Sequence, residues 1–258
     1  VKIHLLPSTF EESGAVSVRQ HLASLVIDDL VAFDAGSLAM AASAQQKASI
    51  RNIVLSHAHL DHVAGLPLFI DDLFATLEQP VKVHATSEVI DALESHVFNW
   101  VIYPRFSELK NKNGDVLVYK KIESGKEFRV EHLSVLCVPV NHKVPASGFI
   151  IADGETKIAI SGDTAEADLF WETVNSEGGL DAVFVECAFP DALTDLAEAS
   201  HHLTPKKLKK ELQKLKIGDC PIYVINIKPM YRDVVVRELS ALAYPNLSVF
   251  PVGKTVTI

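Results

Sequence analysis

Short apolar runs with strand spacing alternate along this chain with longer amphipathic stretches. Lys2–Leu6, Ala15–Ile27 and Leu30–Phe33 read as strands, with Asp28-Asp29 as the turn between the last two. Ile53-Val54-Leu55 is a short apolar run of the kind that makes a buried strand. From Val63 to Leu77 the spacing becomes helical, with Leu66, Phe69, Ile70, Leu73 and Leu77 on one side. Val81–His84 then predicts a strand and Ser87–His96 a helix.

The second half repeats the style. Val116–Ile122, Glu127–Val130, Leu133–Val138, Gly148–Ile151 and Lys157–Ile160 predict a run of strands. Ala167–Val174, Pro205–Leu215 and Asp233–Leu242 predict helices, and Ala182–Val185 and Ile222–Ile225 buried strands. Thr204 before Pro205 is a good helix start: a hydroxyl cap, then a residue that loses nothing at the first helical position. Strand-rich halves with interspersed helices predict an α+β fold, two sheets packed together with helices outside. No repeat, low-complexity tract or Gly/Ser linker interrupts it, so one domain over 1–258 is expected.

The chemistry gathers where the run ending at Leu55 hands over to the helix. Ser56-His57-Ala58-His59-Leu60-Asp61-His62 places three His and one Asp within six residues. In extended chain, residues two apart point the same way, so His57 and His59 converge on one cation. Asp61 and His62 lie where the chain bends and reach toward a second. Imidazole with carboxylate suits zinc first, with manganese or iron as alternatives, rather than calcium. The competing reading is a solvated polar turn that happens to be His-rich, which this density after a buried strand disfavours.

Composition narrows the partners. Nearly half of the 258 residues are hydrophobic, enough for a sizeable core, and no apolar run is long enough to span a bilayer. A net charge of −9 disfavours nucleic acid as a partner, because phosphate-backbone binding needs a basic face. The Lys-rich stretch Lys206 to Lys216 reads as a solvated helix face. Cys137, Cys187 and Cys220 have no paired spacing and read as buried small hydrophobes. No leader is visible and a cytoplasmic location is expected, although a removed leader would leave the same pattern behind Val1. The pattern is compatible with an oligomer.

His-x-His-x-Asp-His, as it stands at 57–62, resembles the signature of the metallo-β-lactamase superfamily. The longer stretch Leu55–Leu66, with Leu60 and Gly65-Leu66, is similar more narrowly to the class II 3′,5′-cyclic nucleotide phosphodiesterases. The likeness extends to Phe33-Asp34-Ala35-Gly36, Pro139–Pro145, Ser161-Gly162-Asp163-Thr164, Glu186-Cys187-Ala188-Phe189 and His202-Leu203. It implies a four-layer αββα sandwich with the site at the sheet edges. It also implies two divalent metal ions, with His142 as the third protein ligand of the ion held by His57 and His59. Asp163 would bridge the two ions, and Asp34 would support the His-rich loop by hydrogen bonds. Read alone, His142 is a turn histidine and Asp163 an Asp-containing turn. Glu186 and His202, similar to segments in related phosphodiesterases and transfer-RNA 3′-processing nucleases, would pair so that His202 donates a proton to a leaving oxygen. Read blandly, Glu186 is a surface carboxylate and His202 a helix-start residue. His201 does not match the pattern and reads as ordinary.

The chain departs from that family in two places. Relatives carry a final His ligand of the second metal where this chain has Asn226, in Ile222–Pro229. An amide oxygen is neutral and a poorer zinc ligand, so the second ion, on Asp61, His62, Asp163 and Asn226, should be the weaker. The first turn, Leu6–Glu12, carries Glu11 and Glu12 in place of a Gly/Ser-rich loop, unfavourable beside a phosphate if they point inward. The expected activity is hydrolysis of a small-molecule 3′,5′-cyclic nucleotide, cyclic AMP foremost, with Asp61, Glu186 and His202 as catalytic residues. The alternatives are a transfer-RNA 3′-processing-type nuclease and a degenerate nucleotide-binding member. Trp100 and Tyr103, in Phe98–Phe106, could face a base, with core packing the preferred reading.

Overall fold

A computed structural model describes residues 1–216 and 219–258. The chain divides into two compact units: 1–123 with 252–257, and 124–251 with 258.

In the first unit, seven strands among the described residues form one mixed sheet. Their spatial order is Thr255–Thr257, Lys2–Leu5, Leu25–Ile27, Val31–Phe33, Asn52–Val54, Val81–Ala85 and Leu117–Lys121. Pairing is antiparallel as far as Val31–Phe33 and parallel beyond it. Parallel strands covered on both faces read as continuous apolar runs, which is why Asn52–Val54 is buried at every position. Asp28 and Asp29 both take left-handed φ angles, 50° and 59°, as a tight hairpin turn requires.

The amphipathic stretch after the His cluster forms two consecutive helices, Leu60–Val63 and Gly65–Leu73. Leu66, Phe69 and Ile70 are buried in one cluster with sheet residues Ala32, Ile53 and Val83. Each such side chain contributes about 1.5–3 kcal/mol relative to exposure. Pro67 falls in the first turn, where its missing N–H has no helical acceptor to lose. The helix stops at Leu73 rather than Leu77, although Leu77 is still buried.

Two glycines let this helix pair sit close to the chain leaving Val31–Phe33. A Cβ at Gly36 would stand 2.0 Å from the Asp61 carbonyl oxygen, and one at Gly65 2.5 Å from that of Ala35. Both obstacles are backbone and cannot swing aside. Gly36→Ala is therefore expected to cost about 2–3 kcal/mol in urea unfolding, toward the upper end of ordinary overpacking. An unchanged midpoint and slope would refute this close approach.

In the second unit, seven strands among the described residues lie in the order Leu247–Val249, Ile222–Ile225, Ala182–Glu186, Lys157–Ile160, Ser147–Ala152, Leu133–Pro139 and Glu127–Val130. The first four run parallel to one another and the rest pair antiparallel. Helices Asp168–Glu177, Pro205–Leu212 and Arg232–Ala241 bury Phe170, Leu208 and Val235 with Val183 and Val224. Thr204 caps its helix as expected, its hydroxyl accepting from the Lys207 N–H at 3.5 Å.

Most predicted elements are present, with the ends shifted by a few residues. The largest difference is Ala15–Ile27, of which only Leu25–Ile27 is a strand. Val16 and Val18 are exposed, with no apolar face to bury. Side chains hold the rest of that segment instead: the Gln20 amide donates to the Leu6 and Leu22 carbonyls, and the Ser8 hydroxyl accepts from His21 N–H. The helices Leu38–Ala41, Ala44–Ser49 and Thr194–Ser200 and the strands Leu247–Val249 and Thr255–Thr257 were not expected.

The three cysteines are buried and unbonded to one another. In the Lys-rich stretch, two lysines are ion-paired within their own unit: Lys207 meets Glu166 at 2.7 Å and Glu198 at 3.0 Å, and Lys214 meets Asp168 at 2.6 Å. Among the described residues no helix is long and apolar enough to cross a membrane.

Candidate active site

In the first unit the site grows from the ends of two adjacent parallel strands, where α/β sheets place their ligands. Asp34 follows Val31–Phe33 with φ +60°, an angle that Asn and Asp tolerate better than most residues. Its carboxylate takes the backbone N–H of Ser56 at 2.8 Å and the Ser56 hydroxyl at 2.8 Å, and it bonds His62 Nδ1 at 2.7 Å. Ser56 Oγ lies 2.9 Å from His57 Nδ1.

These partners fix the tautomers. A carboxylate only accepts, so His62 carries its proton on Nδ1 and presents Nε2. The Ser56 hydroxyl spends its one hydrogen on Asp34 and therefore accepts from His57 Nδ1–H. His59 precedes the helix in extended conformation (φ −65°, ψ 147°), which keeps it on the same side as His57. The His57 ring centroid lies 4.7 Å from that of His59 and 4.2 Å from that of His62. Asp61, half-buried in the first helical turn, is held by its carbonyl, which accepts from Ala23 N–H at 2.8 Å. The support expected of Asp34 is thus visible bond by bond.

The second unit assembles its residues at the carboxyl ends of three neighbouring parallel strands. Asp163 follows Lys157–Ile160 and is buried. Glu186 ends Ala182–Glu186, and Asn226 follows Ile222–Ile225 with φ +54°. Glu186 is fully buried, not a surface carboxylate. One oxygen accepts from Thr164 N–H at 2.9 Å and bonds His202 Nδ1 at 2.7 Å. The other accepts from Ala188 N–H at 3.0 Å and Leu203 N–H at 3.3 Å. Three loops therefore hang on one side chain.

Burial raises the Glu186 carboxyl above its ordinary value, against the opposing pull of His202. For His202, burial works against the charged ring. The Glu186 carboxylate, the hydrogen bond to it and Asp163 outweigh that, and the net shift is upward. Its ring stands edge-on to those of His142 (5.1 Å) and Phe189 (5.6 Å). Ligand atoms of His142, Asp163 and His202 all lie within 4.8 Å of one another. The His142 ring donates through Nδ1 to the His201 carbonyl at 3.1 Å.

Asn226 donates its amide N–H to Asp163 Oδ1 at 2.7 Å. A carbonyl oxygen in that place would face a carboxylate oxygen, so the amide orientation is chemically fixed. Any metal contact from Asn226 would use its remaining Oδ1.

His201, ordinary by its sequence pattern, is bonded to Asn141. His201 Nδ1 meets Asn141 Oδ1 at 3.0 Å across 60 residues, a pairing with no local signature. Glu11 and Glu12 are exposed. Among the aromatics of 98–106, Phe98 and Phe106 are core and Tyr103 packs on Phe106, but Trp100 is 55% exposed, contrary to the preferred core reading.

The beta-lactamase superfamily domain matches residues 27–219. A probable 3′,5′-cyclic-nucleotide phosphodiesterase of Yersinia pestis is 26% identical over 208 residues, covering 71% of this chain and 59% of that protein. A 3′,5′-cyclic-nucleotide phosphodiesterase of Aliivibrio fischeri is 28% identical over 189 residues, 66% of this chain and 54% of that protein. The chain thus spans little more than half the length of these curated relatives. The crystal structure of unliganded yeast PDE1 superposes with a TM-score of 0.81 at 17% identity, covering 100% of this chain and 99% of that one. The match over 27–219 and the two mixed sheets flanked by helices agree, and the chain belongs to the beta-lactamase superfamily, with an α+β fold of the metallo-β-lactamase type.

Proposed function

We propose that this chain is a metal-dependent phosphodiesterase that hydrolyses 3′,5′-cyclic nucleotides, cyclic AMP foremost, to nucleoside 5′-monophosphates. The observation that carries the reading is the buried Glu186–His202 pair, 2.7 Å apart, beside Asp163. The 3′ oxygen of a cyclic nucleotide leaves as a basic alkoxide and needs a proton as its bond to phosphorus breaks. With Nδ1 bonded to Glu186, the protonated ring of His202 presents Nε2–H, and the Glu186 carboxylate favours that charged ring. The relatives' names point the same way.

The donor set fits divalent metal ions, as the family implies. The rings of His57, His59 and His62 cluster, with Asp34 and Ser56 fixing two of them with Nε2 presented. On this reading His57, His59 and His142 hold one ion. Asp61, His62 and Asp163 hold a second more weakly, because Asn226 binds Asp163 rather than supplying an imidazole. Zinc is the first choice, with manganese or iron as alternatives. Such ions, when bound, polarise phosphoryl oxygens and acidify water. Asp61 orients the attacking water and takes its proton. His202, as the imidazolium, delivers its Nε2 proton to the 3′ oxygen, and Glu186 orients the ring and holds the Nδ1–H that remains.

A transfer-RNA-processing activity would need a basic face, but the net charge is −9 and Lys206, Lys207 and Lys214 are ion-paired with Asp191, Glu166, Glu198, Asp168 and Glu211. The test is incubation of zinc- or manganese-supplemented protein with cyclic AMP and cyclic GMP, with products separated by chromatography. The reading expects the 5′-monophosphate. Intact cyclic nucleotides, with another phosphate ester hydrolysed, would contradict it. Tight binding without product would favour a nucleotide-binding member that has lost turnover.

A further inference from the structure

We propose that Asn141 and His201 form a latch that sets the tautomer and aim of His142. The loop Val140–Ala146 carries His142, and the C-terminus of helix Thr194–Ser200 leads through His201 to His202. Two bonds tie these segments at the same place. The His201 carbonyl accepts from His142 Nδ1 at 3.1 Å, and the His201 ring bonds Asn141 Oδ1 through Nδ1 at 3.0 Å. The remaining side of the Asn141 amide donates to the Glu166 carbonyl at 2.9 Å, and the Asn141 carbonyl accepts from Ala165 N–H at 2.7 Å, which anchors the loop to the chain following Asp163.

The backbone of His201 makes the arrangement informative. It takes φ 57° and ψ 58°, the left-handed conformation that glycine or asparagine adopts at a helix end with far less strain. That conformation turns its carbonyl toward His142 while its N–H still accepts the helix-ending role, donating to the Ala197 and Glu198 carbonyls. A histidine there carries a conformational cost that its ring contact with Asn141 offsets. The result is one tautomer for His142: Nδ1 protonated and engaged, Nε2 carrying the lone pair. A metal-ligating imidazole needs that state, and partners that enforce it typically change metal affinity 10–100-fold when removed.

The latch rests on the reading that His142 ligates a metal, but its first test does not. Long-range ¹H–¹⁵N correlation spectra of metal-free protein report the His142 tautomer directly. Wild type should show Nδ1–H alone, whereas Asn141→Ala and His201→Gly should show a mixture. Zinc affinity, measured by competition with a chelating dye, should then fall about 10-fold in each variant and no further in the double variant, with circular dichroism unchanged. His201→Asn, which tolerates the left-handed backbone and keeps an N–H near the position of Nδ1, should restore both readouts. A single His142 tautomer in all variants would overturn the latch, as would fully multiplicative losses of affinity in the double variant. Zinc binding absent from the wild type would sink the metal reading while the tautomer spectra still decide the latch.

Discussion

Replacing His202 with asparagine should lower cyclic AMP turnover by about 10²–10⁴-fold, the range that general acid catalysis commonly supplies. The same variant should lose only a few-fold on bis(p-nitrophenyl) phosphate, whose nitrophenolate departs without a proton. Asparagine keeps an N–H for the Glu186 carboxylate, so the buried carboxylate retains its partner and only the outward Nε2–H is lost. In wild type, cyclic AMP turnover should fall as pH rises through the raised His202 value, while nitrophenyl ester hydrolysis should lack that limb. Equal losses on both substrates would remove His202 from the role of acid and leave it a ligand or a packing residue.

The second large effect is on folding. Glu186→Ala leaves three buried backbone N–H groups and His202 without their acceptor. Breaking a buried charged pair by deleting one partner costs about 3–5 kcal/mol, a large fraction of an ordinary domain's stability. Urea unfolding should show the loss. A change below about 1 kcal/mol would mean that the three loops hold themselves.

The pair also predicts a pH dependence with a definite sign. Both groups bind their protons more tightly in the folded chain, Glu186 through burial and His202 because its carboxylate partners outweigh burial. For His202 the stabilising contribution is complete below the ordinary imidazole range and is lost as pH rises through the raised folded value. Metal-free wild type should therefore lose stability on going from mildly acidic to alkaline pH, and His202→Asn should lose this component.

Much of this architecture was legible because chemistry and periodicity coincide. The 57–62 cluster needs only alternation along an extended chain to bring His57 and His59 together, and their rings do meet. Asp34 and Gly36 could be located by likeness, but their reason is tertiary: one bonds Ser56 and His62, the other leaves room for the Asp61 carbonyl. Glu186 reads from sequence as either a surface carboxylate or the partner of His202. Only the convergence of N–H groups from residues 164, 188 and 203 explains a carboxylate with no exposure.

Ala15–Ser24 misled because apolar and polar residues alternate there without a sheet to receive them, and polar side chains from residues 8 and 20 take over. The short helix Ala44–Ser49 did carry a signal, the Ser43-to-Gln46 capping box, in a stretch too polar for periodicity to mark. The Asn141–His201 bond carried none, since neither residue type is diagnostic and 60 residues separate them.

The most direct test is to titrate zinc into chelator-stripped protein while following cyclic AMP hydrolysis and counting bound metal. The expected result is no turnover without metal and recovery on addition, with 5′-AMP as the product. One equivalent should bind tightly and a second only at higher zinc, as Asn226 in place of an imidazole requires. Cyclic AMP left intact at full metal loading, or hydrolysed at the same rate by stripped protein, would contradict the account.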